Sequence, residues 1–220
     1  MVIFILKEGV KMLANRLKIL LAERDLSIKD VIEDTGISRN VLSNMINKPF
    51  ANISTENIDK LCNYLEVTPA IFFDYSKWRF SYELKSNVKI SDTDVKATAK
   101  QVEAVLEITM RSGKRRYAFE LYYVIEYDMD YGAGDNYDVF ITVYDPMGAD
   151  NDFIKVYHEL SPLFQHQIEA EITQPIPVIM EKAKRRGEFD NKKDKIKLQF
   201  DYVDFNNDIV FQYDFIYKKS

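Results

Sequence analysis

The apolar residues change their spacing once, near Tyr75, and that change asks for two kinds of architecture in one chain. Before it, Leu13, Leu17, Leu20 and Leu21 recur at the spacing of one helical face, as do Ile58, Leu61, Cys62 and Leu65. After it the period is two. Phe80, Tyr82, Leu84, Val88 and Ile90 alternate with polar residues, and so do the stretches from Val102 to Met110 and from Tyr117 to Ile125. Val139 to Val143, Ile196 to Tyr202 and Ile209 to Phe215 repeat the pattern. Such alternation gives strands with one buried face, as in antiparallel sheets. Ile168, Ala170 and Ile172 alternate too, although the stretch from Phe153 to Thr173 also fits a helix. A helix is expected from Pro177 to Arg186, stopped by Gly187. The expected fold is α+β: an all-α, five-helix domain over residues 12–75, then an antiparallel β-rich domain over 78–220 with one or two helices. A boundary near residues 74–79 has no Gly- or Ser-rich spacer, and 220 residues suffice for two cores.

Local punctuation sets the helices. Ser27 is an N-cap residue with Asp30 three positions on, in the acidic slot of a capping box. Gly36 supplies a tight turn of positive φ, and Ser38 caps a third helix from Arg39 to about Asn47. Residues 49–52 form a loop, Ser54 or Thr55 caps a fourth helix, and Thr68-Pro69 opens a short fifth one with Phe72 and Phe73 turned inward.

A tight turn between the second and third of five helices matches the helix-turn-helix arrangement, whose second helix enters the major groove. Residues 15–73 resemble the lambda-repressor-like (Cro/CI, or XRE) DNA-binding domains. The resemblance rests on Ser27, Thr35-Gly36-Ile37-Ser38, Leu42, Ser54, Leu61 and Leu65-Glu66-Val67, and covers about a quarter of the chain. It implies that Arg39, Asn40, Ser43 and Asn44 read base edges. The chemistry agrees, since Arg pairs bidentately with guanine and Asn with adenine. Residues 40, 43, 44 and 47 share one helical face, with Val41, Leu42, Met45 and Ile46 expected to pack behind it. Lys29, Asn47 and Lys48 flank that face and are the expected phosphate contacts.

The chain departs from the family at Ile28 and Ile32, where Gln and Ala are common. Ile28 cannot hydrogen-bond a phosphate or a base, and the bulk of Ile32 is expected to spread helices two and three. Residues 12–77 hold eight basic and nine acidic side chains, so counterion release is modest and one copy should bind weakly. Two linked readers would remedy that by raising the effective concentration. The expectation is therefore a repressor of phage or mobile-element type that covers a promoter as a homodimer on double-stranded DNA. The C-terminal domain would supply dimerisation and a site for an unknown effector or partner protein. The competing reading is an antitoxin or antirepressor-like protein-interaction module.

Other chemistries find little support. The net charge is −5, so no overall basic character advertises a polyanionic partner. One cysteine, Cys62, excludes an internal disulfide and fits a reducing cytoplasm; it is read as buried filler. The longest apolar stretch, Val2 to Leu6, is far short of the roughly 20 residues a membrane span needs. Lys7-Glu8-Gly9 can be encoded by a purine-rich ribosome-binding sequence ahead of Met12, which makes Met12 a candidate start and residues 1–11 a mis-called leader; a genuine floppy or strand-forming tail is the alternative.

A serine–lysine protease would need Ala133-Gly134 as its cleavage site, with Ser161 and Lys195 or Lys197, but Ser161 lacks a nucleophile context. His158 and His166 are not spaced for zinc and read as ordinary strand or loop residues. Tyr122, Tyr123, Tyr127 and Tyr144 could stack bases, yet residues 78–220 are acidic, and core packing is the expected role. The basic run Lys182, Lys184, Arg185 and Arg186 reads as a solvated helix end. Neither an enzyme nor a cofactor is expected.

Overall fold

The computed structural model describes residues 4–5, 12–85, 102–127, 137–145, 152–187 and 195–218. The chain forms two compact units, residues 11–79 and residues 80–220 with 1–10. The first strand, β1 (Phe4–Ile5), belongs to the larger unit.

The smaller unit runs β2 (Leu13–Asn15), α1 (Leu17–Glu23), α2 (Ile28–Thr35), α3 (Arg39–Asn47), α4 (Thr55–Tyr64), α5 (Pro69–Phe72) and β3 (Phe73–Tyr75). β2 and β3 pair antiparallel, Leu13 opposite Tyr75 and Asn15 opposite Phe73. Leu13 is thus in a strand and half exposed, although its spacing to Leu17 suits a helix. The helix starts later because the Asn15 side chain accepts the Leu17 N–H at 3.1 Å. Leu17, Leu20, Leu21, Val31, Ile37, Leu42, Met45, Leu61, Cys62, Leu65 and Phe72 close the core. Ile28 and Ile32 pack against it, so both departures from the family pattern contribute apolar area there.

The larger unit is built on a seven-stranded sheet ordered β1-β4-β5-β6-β7-β8-β9, with β4 (Arg79–Lys85), β5 (Val102–Ser112), β6 (Arg115–Tyr127), β7 (Val139–Tyr144), β8 (Lys195–Val203) and β9 (Ile209–Lys218). The sheet is mixed, not antiparallel as expected. β7 and β8 run parallel, Val139 opposite Leu198 and Tyr144 opposite Val203, while β5–β6, β6–β7 and β8–β9 are antiparallel. Parallel neighbours need a long crossover. Among the described residues it contains three helices, not one or two: α6 (Phe153–Glu159), α7 (Pro162–Thr173) and α8 (Ile176–Arg185).

Ile168 and Ile172 therefore lie in a helix, with Phe164 and Ile168 two turns and one turn ahead of Ile172, while Ala170 is exposed. The alternation there is coincidental, since residues i and i+4 share a face in both a helix and a strand. Phe153 seats α6 on the sheet, its ring 5.0 Å from Phe119, 6.3 Å from Phe80 and 6.2 Å from Tyr202. The Tyr123 hydroxyl, from β6, donates to the Ile172 carbonyl at 2.6 Å. At the end of α8, Arg186 grips the buried carboxylate of Glu103 on β5 through two contacts of 2.8 Å. Val88 and Ile90 lie outside the described residues.

Candidate nucleic-acid interface

The tight turn is fixed from both sides. At the start of α2, Ser27 and Asp30 form a full capping box: the Ser27 Oγ accepts from the Asp30 N–H at 3.3 Å, and the Asp30 carboxylate accepts from the Ser27 N–H at 2.8 Å. These bonds from Ser27 hold the Asp30 carboxyl below its usual range. α2 ends at Gly36, whose φ of +68° is the left-handed conformation that a side chain resists, and whose N–H donates to Ile32 at 3.0 Å. Thr35 adds a clip on the same turn. Its hydroxyl donates to the Val31 carbonyl at 2.6 Å and accepts from the Ile37 N–H at 3.2 Å. Ile37 is then buried, and Ser38 caps α3 by accepting from the Val41 N–H.

α3 divides cleanly by burial. Leu42 and Met45 are buried and Ile46 packs against the core. Arg39, Asn40, Asn44 and Asn47 are exposed and Ser43 is half-buried. Within the described residues, none of the side chains of Arg39, Asn40, Ser43, Asn44, Asn47 and Lys48 makes a hydrogen bond or an ion pair. Val41 is a correction: it is 37% exposed and does not pack behind the polar residues. It stands one residue past Asn40 on the outward side, and a valine there offers an apolar surface of the kind that meets a thymine methyl. Lys29, at the second position of α2, is exposed with its amine 3.6 Å from Glu33; Lys48 caps α3, its N–H donating to Asn44 at 2.9 Å.

Two residues hold this arrangement in ways the sequence pattern did not assign, Thr35 and Asn15. Asn15 is buried and donates its amide to the carbonyls of Met45 at 3.1 Å and Pro49 at 2.9 Å, anchoring the last turn of α3. An asparagine two residues before an apolar helical run was the available signal, because such side chains bond the backbone locally. Cys62 is buried, and burial first, then the Asp59 charge, pushes its thiol up, away from reactivity.

The remaining candidates divide differently. His158 and His166 sit on α6 and α7, in helices and not in strands or loops. His166 Nδ1 lies 2.9 Å from Glu169, and the His158 ring packs 5.4 Å from Tyr157. Among the described residues, no group of three or more His, Cys, Asp or Glu could hold a metal ion. Ser161 precedes α7. Ala133-Gly134 and the side chain of Tyr127 lie outside the described residues. Tyr123 is core, while Tyr122 and Tyr144 are half-buried opposite each other. The basic run is engaged within the fold: Arg186 on Glu103, Arg185 3.3 Å from Glu181, and Lys182 donating to the Glu103 carbonyl at 3.2 Å. No described helix is long and apolar enough to cross a membrane.

Residues 16–77 match the family model of the Cro/C1-type HTH DNA-binding domain. The comparisons with curated proteins and with solved structures gave no match. The capped turn, the exposed polar face of α3 and this match define the class: the segment is a Cro/C1-type helix-turn-helix, and the chain that carries it is a DNA-binding transcription regulator.

Proposed function

We propose that the chain is a sequence-specific repressor of phage or mobile-element type, acting by promoter occupancy as a homodimer. Arg39, Asn40, Ser43 and Asn44 read base edges in the major groove, and Lys29, Asn47 and Lys48 hold phosphates. The residues of the larger unit provide dimerisation and a place for a signal. One observation carries the reading: α3 presents exposed amide and guanidinium groups, with the half-buried Ser43 hydroxyl among them, that have no partner within the described residues. Polar groups of that kind bond water until base edges replace it.

Selection from random duplex DNA tests it. The expected result is an enriched site with two half-sites separated by about one helical turn, roughly 10 base pairs, or a multiple of it. An absence of enrichment, together with a protein that co-purifies in stoichiometric amount, would favour the antitoxin or antirepressor-like reading. The slight acidic excess over residues 12–77 is the observation on that side.

A further inference from the structure

β9 ends the sheet. It pairs with β8 on one side, and among the described residues nothing pairs with its other side. The opposite end of the sheet is β1, two residues long, whereas β9 offers ten residues without a proline. A long open edge of that kind is a template for another strand. Its composition is apolar for an edge: Ile209 is 58% and Ile216 64% exposed. Phe211, Tyr213, Phe215 and Tyr217 are only half-buried, while their β8 partners Tyr202, Phe200, Leu198 and Ile196 are buried.

The sequence of this edge, "DIVFQYDFIYK", reads nearly the same by chemical class in both directions. That is the property a strand needs to pair with its own copy about a twofold axis, where residue i meets j and j meets i. Centring the axis on Tyr213 sets Phe211 against Phe215 and Val210 against Ile216. Gln212 then meets Asp214, which its amide can donate to, and Asp208 at one end meets Lys218 at the other. Every pair is apolar with apolar or donor with acceptor. A shift of one residue to Asp214 would place two carboxylates together and Ile216 on Gln212. Centring on Ile216 keeps the charges matched but joins only the last five residues of the strand.

We propose that β9 pairs antiparallel with β9 of a second copy of this chain, centred on Tyr213, making one continuous sheet across the dimer. The proposal deepens the dimeric reading above by naming the surface that joins the copies. It is tested without DNA, so its failure leaves the base-contact assignment to its own experiment.

Light scattering or sedimentation over a concentration series should give twice the 25.8 kDa of one chain. Ile216→Glu should weaken the dimer by about tenfold or more, because two symmetric pairs are lost. The fold of one copy tolerates that change, since residue 216 is exposed and lies opposite Lys197 on β8. Adding Val210→Lys to Ile216→Glu should restore the dimer, because the introduced amine of each copy then faces the introduced carboxylate of the other. The pair Gln212→Cys and Asp214→Cys should give a covalent dimer on mild oxidation, as directly opposed residues lie within disulfide reach. A wild type that stays at 25.8 kDa overturns the proposal. So does a dimer indifferent to Ile216→Glu, or the failure of both the charge rescue and the cross-link.

Discussion

The Asn15 amide donates to the Met45 carbonyl at 3.1 Å, so the strand ahead of α1 holds the last turn of α3. Asn15 also takes the Leu17 N–H and reaches the Pro49 carbonyl, and the Asn15 side chain itself is buried. Asn15→Ala should destabilise the smaller unit by about 1–3 kcal/mol, the cost of leaving buried backbone groups without their partners. Asn15→Asp should cost at least as much, since a carboxylate can still accept from Leu17 but faces two carbonyl oxygens it cannot donate to. Urea denaturation of the three proteins measures it; an aspartate as stable as asparagine would show that the donated bonds contribute nothing.

Arg39→Ala and Lys48→Ala should separate two kinds of contact. Both side chains are exposed and make no bond within the described residues, so neither change should move the melting temperature. Losing one bidentate base contact costs about 1–3 kcal/mol, so Arg39→Ala should weaken the selected site roughly ten- to a hundredfold. Lys48→Ala should weaken all sequences alike and flatten the salt dependence by about one unit of slope. Titrations on specific and random duplexes at several salt concentrations read both effects. Equal affinity of Arg39→Ala and wild type for the selected site removes Arg39 from the base-reading set.

Glu169 should make the larger unit sensitive to acid. Burial alone would raise its carboxyl, but the hydroxyls of Tyr157 and Tyr213 donate to it, His166 lies against it, and together they hold it below the ordinary glutamate value. A carboxyl lowered in the folded state stabilises above its unfolded value, near pH 4.5, and that contribution is lost as the pH falls through the folded value. Glu169→Gln should therefore be less stable than wild type at neutral pH, and its stability should fall less steeply in acid. Melting curves across the acid range compare the slopes; parallel slopes would remove Glu169 as the source.

Arg186 and Glu103 join the end of α8 to β5. The Glu103 side chain is 3% exposed, so taking away its partner strands a buried charge. Arg186→Met should cost about 3–5 kcal/mol, whereas adding Glu103→Leu should return much of that loss. Guanidinium denaturation of both variants decides whether the pair acts as a unit, and a double variant no better than the single would say it does not.

How much of this could be read beforehand depends on how local the governing chemistry is. Ser27 with Asp30, Gly36, Ser38 and Ser54 act on backbone groups within a few residues, so their roles were visible in the sequence and the caps fall where that chemistry places them. The alternating runs of β5, β6, β8 and β9 were visible for the same reason. What escaped depends on distant partners. Leu13 fits a helical face but is drawn into β2 by Tyr75, and Val41 fits a core position but turns outward. Ile168 and Ile172 fit strand and helix equally, and only Ala170 on the surface tells them apart. The parallel setting of β7 and β8 leaves no trace in either strand, because direction is fixed by the connection and not by the residues that pair.

That connection also orders events during synthesis. The β5–β6 neighbours can meet as soon as the turn at Gly113 emerges from the ribosome, and β7 can join β6 once it follows, but β7 must wait through residues 145–194 before β8 exists. Until then β7 carries a bare, apolar margin, and the nascent protein has reason to fold its three crossover helices early and fasten that margin late.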